Sequence, residues 1–324
     1  MGDYMDNNEV GNESLEDELN ELNTPRIMNG KKILSLCGLY LSLMTIALFA
    51  VQALLIFIVG MAFPEVAEEG WFNIALTAIG VAGVGLPVFY VLMKRVPDSE
   101  IGEQKKLSFG QFIGFFMVCM AGTYISNMVG SFINVLIELI KGLEVINPLD
   151  SLFDGNMVLA MIYAVICAPI LEELIFRKIL LDKLRRFGDI PAMLLTGFAF
   201  GIFHFNLAQF FYATVLGIFF AYITLRTNRI RYAILLHMMV NSIGAGVVPL
   251  VANGENMVGL GLITAWLFIS MIIGSILFII NVKKIKLVKL AKPLVRKMDY
   301  IFNPGALMFL IIGIIVIILS LIEG

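Results

Sequence analysis

Long apolar runs, divided by short charged connections, fill most of the 324-residue chain. Nine of them, near residues 33–63, 71–93, 109–140, 157–181, 190–205, 207–225, 230–252, 257–281 and 306–322, reach or approach the roughly 20 apolar residues that a helix needs to cross a hydrocarbon core. The third run is long and the fifth is short. The pattern predicts an all-α fold, a polytopic transmembrane bundle of about eight or nine membrane helices. Ahead of it, residues 1–30 carry Asp3, Asp6, Glu9, Glu13, Glu16, Asp17, Glu18 and Glu21. With so little apolar surface this stretch is expected to be a disordered tail. It lacks the basic start of a cleavable signal peptide, so the first apolar run is expected to remain as an anchor.

Charge in the connections tests the segment list. Lys31 and Lys32 precede the first run, and Glu65, Glu68 and Glu69 follow it. Lys94, Arg95, Lys105 and Lys106 follow the second run; Lys183, Arg185 and Arg186 follow the fourth; Arg226, Arg229 and Arg231 follow the sixth. Basic residues thus fall in every second connection, which predicts a cytoplasmic amino terminus and puts Gly324 on the outside. From Lys283 to Lys297 seven cations alternate with apolar residues. Within a segment at about 282–300, this run reads as a basic interfacial helix, broken near Pro293, on the anionic lipid of the inner leaflet. A nucleic acid is not an expected partner, because the run lies between two membrane segments. The domain plan is a tail over 1–30 and one membrane domain over 31–324.

Composition agrees. Hydrophobic residues make up 59% and charged residues 15%, where soluble domains have roughly half and a quarter; a soluble globular domain is excluded. The three cysteines, Cys37, Cys119 and Cys167, lie inside apolar runs and read as small buried side chains, not as a disulfide framework. In the third run Asn127, Ser131, Asn134 and Glu138 share a helical face, which reads as helix contact or as the lining of a wet channel.

The chemistry concentrates in the fourth run, at Cys167-Ala168-Pro169-Ile170-Leu171-Glu172-Glu173-Leu174-Ile175-Phe176-Arg177. A charge at the centre of a membrane helix costs roughly 2.5–3.5 kcal/mol on insertion scales, so such groups face a partner or a wet cavity. The only two histidines, His204 and His237, follow in later apolar runs. Gly188-Asp189-Ile190-Pro191 reads as helix end, N-cap and first turn, which makes runs four and five a hairpin. Glu172 and His204 lie equally far from Gly188 along the chain and so reach one level, about 24 Å from the turn. After a turn at Thr227-Asn228, His237 and Asn241 share a face at i, i+4.

Glu173 and Arg177, also at i, i+4, pair as acid and base, leaving Glu172 free; Pro169 is expected to kink the helix just before them. A carboxylate in a low-dielectric cavity suits a general base, with His204 holding the same water. Donors on His237 and Asn241 suit an oxyanion hole. Together these residues describe hydrolysis of an amide within the membrane. Other readings of the same residues are histidines that merely bond helix to helix, a structural Glu173–Arg177 pair, a proton-coupled transporter, and a zinc site. The chain shows no H-E-x-x-H pattern and no cysteine near either histidine, which disfavours zinc.

Glu172-Glu173-x-x-x-Arg177, Phe200-x-x-x-His204 and His237-x-x-x-Asn241, in that order on successive membrane helices, resemble the three motifs of the CPBP family. That family comprises intramembrane CAAX prenyl endopeptidases and bacteriocin-processing or immunity proteins, also called Abi proteins. The resemblance covers about 157–251, the expected catalytic core. It implies a glutamic-type membrane endopeptidase in a bacterial plasma membrane, acting on a peptide or membrane-anchored protein substrate. Glu172 and His204 would activate water, and His237 and Asn241 would form the oxyanion hole. Glu173, Arg177 and Phe200 would support them. It implies no cofactor; were a divalent metal such as zinc required, Glu172, His204 and His237 would be its ligands. The non-enzymatic alternative is a membrane scaffold or a bacteriocin self-immunity protein.

Overall fold

A computed structural model describes residues 28–142, 156–252 and 256–322; the acidic stretch 1–27 lies outside them. The described residues contain no strand. Among the described residues nine principal helices follow in order: α1 Gly30–Ala62, α2 Gly70–Met93, α3 Phe109–Lys141, α4 Met157–Phe187, α5 Asp189–Phe203, α6 Leu207–Thr227, α7 Ile230–Val251, α8 Met257–Lys284 and α9 Pro304–Ile322. Eight are long and apolar enough to cross a membrane; α5, with 15 residues, is the short one. At 1.5 Å per residue α5 extends only about 22 Å, so its far end stops short of a hydrocarbon core about 30 Å thick. Large apolar side chains such as Leu54, Phe57, Ile140, Phe268 and Ile318 are exposed along the outer faces of the bundle. The chain is an integral membrane protein.

Helix ends follow local chemistry. Asn29 caps α1 by accepting from the Lys31 N–H at 2.9 Å. Ser108 and Gln111 cap α3 reciprocally, at 3.3 and 3.0 Å, and such a cap is worth about 1 kcal/mol. Gly142 ends α3 at φ +70° and Asn228 ends α6 at φ +50°, left-handed positions that glycine and asparagine tolerate. Gly188 turns α4 into α5 at φ +90°. Asp189 is not the N-cap that the sequence suggests. It is the buried first residue of α5, and its carboxylate takes an ion pair from Arg226 and the Val288 N–H at 2.6 Å.

The basic connections all meet at one end of the bundle. Lys183 bonds to Asp98 and to the Val96 carbonyl, Arg186 bonds to the carbonyls of Pro97 and Asp98, and Arg185 bonds to Asn228. Lys31 pairs with Asp299 at 3.0 Å. Such gathering requires helices that alternate in direction, as the loop charges imply.

Two expectations need correction here. Residues 285–296 are not a helix; they form an extended strap between short 3₁₀ turns at Val282–Lys284 and Lys297–Tyr300. Its backbone is held across the α4–α5 turn instead, with the Asp189 N–H donating to the Val288 carbonyl at 3.0 Å. Cys167 is exposed, whereas Cys37 and Cys119 are buried. On α3, Asn127 and Ser131 are exposed and Asn134 and Glu138 are partly buried, so the polar face is not one closed helix contact.

Lipid tails are as apolar as leucine, so helix association here relies on close packing. One close approach joins α5 to α6, where a Cβ on Gly217 would lie 2.7 Å from the Gly197 Cα. Nearer the end of α5, Gly201 lies against Thr214 and the Phe210 carbonyl of α6, which holds the turn before His204 on that helix.

Candidate active site

The acidic pair rides on an irregular helix. In α4, residues 168–173 form regular turns between two wider ones, Tyr163–Cys167 and Leu174–Leu180. The Ala168 N–H reaches back five residues to the Tyr163 carbonyl, directly before Pro169. A proline ring collides with the carbonyl four residues back, and the wider turn accommodates it. The helix is therefore rewound at Pro169 instead of being broken. The same device precedes Pro87 in α2 and Pro249 in α7, where Leu86 bonds to Val81 and Val248 to Ile243. Such bulges are frequent at functional sites because they re-aim side chains.

Glu173 and Arg177 are both wholly buried, with Arg177 Nε 3.1 Å from Glu173 Oε2. The second oxygen, Glu173 Oε1, lies 3.0 Å from His237 Nδ1. The guanidinium pairs with the carboxylate form of Glu173, so Nδ1 is the donor and the imidazole is fixed by its back edge. Nε2 then faces Glu172, 3.7 Å from Oε2. Arg177 also donates to the Gly217 carbonyl at 3.1 Å and lies over the Phe200 ring, 4.4 Å from its centroid.

Phe200 is the pivot of the site. Its ring meets His204 edge-on at 4.8 Å and His237 edge-on at 5.7 Å between centroids. His204 ends α5, with Nδ1 2.8 Å from the Phe200 carbonyl, an acceptor that selects the Nδ1–H tautomer and turns Nε2 outward. Glu172 and His237 both lie close enough to act on His204 electrostatically. The following turn is tight: Phe205 has φ +51°, and Asn206 caps α6 through the Ala208 N–H at 2.8 Å. Asn241 lies one turn beyond His237 and donates one of its two amide protons to the Ala164 carbonyl at 2.8 Å.

Glu172, Glu173, Arg177, Phe200, His204, His237 and Asn241 are thus drawn together from α4, α5 and α7. Glu172, His204 and Asn241 remain partly exposed, while Glu173 and Arg177 form the closed back. The sequence reading paired Glu173 with Arg177 alone and missed its bond to His237. It also missed Phe220, whose ring lies 5.1 Å from His237, and Tyr163 and Tyr212, which are near enough to feel the charge of Glu172. No spacing rule reveals the contacts to His237 or the approach of Tyr212, since each crosses between helices.

Among the described residues no three His, Cys, Asp or Glu side chains are grouped so as to hold a metal ion. His237 Nδ1 is committed to Glu173 and His204 Nδ1 to a carbonyl, so each could offer a metal only Nε2.

Residues 154–243 match the type II CAAX prenyl endopeptidase Rce1-like family. The Rce1-like segment contains every residue of the cluster and about a quarter of the chain. Over 85 residues the chain is 39% identical to "Putative membrane peptidase YdiL" of Bacillus subtilis (strain 168). That alignment covers 26% of this chain and 35% of the relative, so the chain matches about a third of the relative's length. No solved structure matches significantly.

Proposed function

We propose that this protein is a membrane endopeptidase of the CAAX-protease type, hydrolysing a peptide bond in a peptide or membrane-anchored protein. The observation that carries the reading is the meeting of Glu172 with two imidazoles from separate helices, Glu172 Oε2 being 3.7 Å from His237 Nε2 and Phe200 touching both rings. In the proposed reaction a water lies between the Glu172 carboxylate and His204 Nε2. Glu172 takes its proton as the oxygen attacks the carbonyl carbon. His237 Nε2 and the second amide proton of Asn241 face the oxygen that becomes negative. Glu173 holds His237 by Nδ1, which leaves Nε2 as the edge directed to that oxygen. Collapse of the tetrahedral species breaks the C–N bond, and the proton held by Glu172 passes to the leaving amine.

The route uses no metal, and the chain's amino-terminal side and basic connections face the cytoplasm of a bacterial cell, with anionic lipid against the 283–297 strap. The proposed substrate class follows the Rce1-like match, a prenylated carboxyl-terminal peptide being the first to try. The test is cleavage of such a peptide by purified protein in lipid vesicles, for wild type, Glu172→Gln and His204→Ala. Turnover should fall at least a thousandfold in both variants while insertion and thermal stability hold. Cleavage at wild-type rate in either variant refutes the mechanism. Strong zinc chelators should leave turnover unchanged; a loss restored by added zinc would replace the glutamate route with a metal one.

A further inference from the structure

Two cavities open at the basic end of the bundle, and their charges differ. The larger, about 620 Å³, is balanced: Asp98, Glu100, Glu103 and Asp189 face Lys105, Arg185, Arg186 and Arg226. Several of these cations are already spent on carbonyls or on Asp189. That cavity is a saturated network between connections.

The smaller cavity, about 320 Å³, is lined by Arg177, Lys178, Arg185, Arg229 and Arg231; Arg177 is answered by Glu173 behind it, and the other four face a single acid, Asp182. Asp182 is shared, 3.0 Å from Lys178 and 2.9 Å from Arg185, so one negative charge answers several positive ones. Three guanidinium nitrogens here have no hydrogen-bond partner: Arg177 Nη1, Arg185 Nε and Arg229 Nε. Arg177 is fully buried and Arg185 has a side chain only 10% exposed. Leaving a buried charged donor unmade costs more than an ordinary hydrogen bond gains. Arg229 also precedes α7 without a side-chain cap, so the first-turn amides of that helix lie beside the same cavity. Uncapped amides and the helix dipole both favour an anion.

We propose that this cavity, walled by α4, the α6–α7 turn and the 101–104 stretch, is a binding site for a phosphate group. A phosphate offers enough acceptor oxygens, at nearly two negative charges, to engage several guanidinium forks and the helix amides together. Its source is a free phosphate or the headgroup of an anionic phospholipid. The site is separate from the Glu172, His204 and His237 cluster, and the two share only Arg177, which stands behind Glu173.

The test uses the full-length protein and two probes. Inorganic phosphate is titrated calorimetrically into protein in neutral detergent. In parallel, protein in nanodiscs of phosphatidylcholine, with or without phosphatidylglycerol, is released and weighed by native mass spectrometry for retained lipid. Arg229→Gln and Arg231→Gln are compared with Lys286→Gln on the strap, and thermal midpoints confirm that each variant folds. Saturable phosphate binding, at least tenfold weaker in both arginine variants but unchanged in Lys286→Gln, supports a free-phosphate site. Retention of phosphatidylglycerol alone, with the same variant pattern, supports a lipid-headgroup site. No binding of either probe, or binding weakened equally by Lys286→Gln, overturns the proposal.

Discussion

Removing one charge from the buried Glu173–Arg177 pair should expose how much the site depends on it. At 3.1 Å, Coulomb attraction at an effective dielectric of ~20 is about 5 kcal/mol before desolvation is counted. Much of that is cancelled by the cost of burying both ions, so the intact pair adds little net stability. Breaking it is different. Glu173→Gln leaves the Arg177 guanidinium wholly buried without its anion and removes the carboxylate that fixes His237; the expected cost is about 3–5 kcal/mol. Arg177→Met strands the carboxylate and should cost about as much. The double variant leaves neither charge uncompensated, so its loss should be smaller than the sum by more than about 1.5 kcal/mol, the coupling expected of contacting residues. Reversible unfolding in bicelles, followed by steric trapping, measures all four corners of the cycle. Losses that add to within about 0.5 kcal/mol would show that the two groups do not act as a buried pair.

Other features give separate tests. Asp189→Ala removes the acceptor of Arg226 and of the Val288 N–H; at about 1.5–3 kcal/mol for a bond to a charged group, trypsin should cut the strap at Lys286 and Lys289 at least tenfold faster, and an unchanged rate would remove the docking role. Gly217→Ala forces a methyl to 2.7 Å from the Gly197 Cα, whereas a methyl on Gly60 meets nothing within 4 Å. The first should cost about 1–3 kcal/mol and the second nothing, and equal thermal midpoints would contradict the α5–α6 packing. The Asp299 carboxyl is held down to about 2, by its bonds to Arg296 and then to Lys31. Its folded value lies below the unfolded one, so the tether is complete above the usual carboxylate range and is lost as pH falls through about 2. Isotope-edited infrared titration of wild type against Asp299→Asn should place the midpoint there, and a midpoint near 4, typical of free aspartate, would refute the tether.

Hydropathy and loop charge made the helical architecture legible, because the bilayer imposes a length and a sign on each segment. The two turns that define the site were also readable: Gly188 and Asn228 adopt the left-handed or extended-positive geometry their types favour. From those turns came the shared level of Glu172 and His204. The strap was misread because alternating lysines and aliphatics resemble an interfacial helix, while its actual conformation is set by Asp189, about a hundred residues earlier in the chain. Asp189 was misread for the same reason, its partners Arg226 and Val288 being distant in sequence. Within the site, the carboxylate behind His237 could not be chosen from two adjacent glutamates by spacing alone. The wide turn at Pro169 aims Glu173 at Nδ1 and leaves Glu172 at Nε2.

The most direct test of the account is a comparison of protein termini in host membranes carrying wild type or Glu172→Gln, each inserted to the same level. Quantitative mass spectrometry should find that at least one membrane-associated protein loses its processed terminus in the variant and accumulates uncut, with His204→Ala giving the same set. Identical termini in all three membranes would contradict peptide hydrolysis by this site.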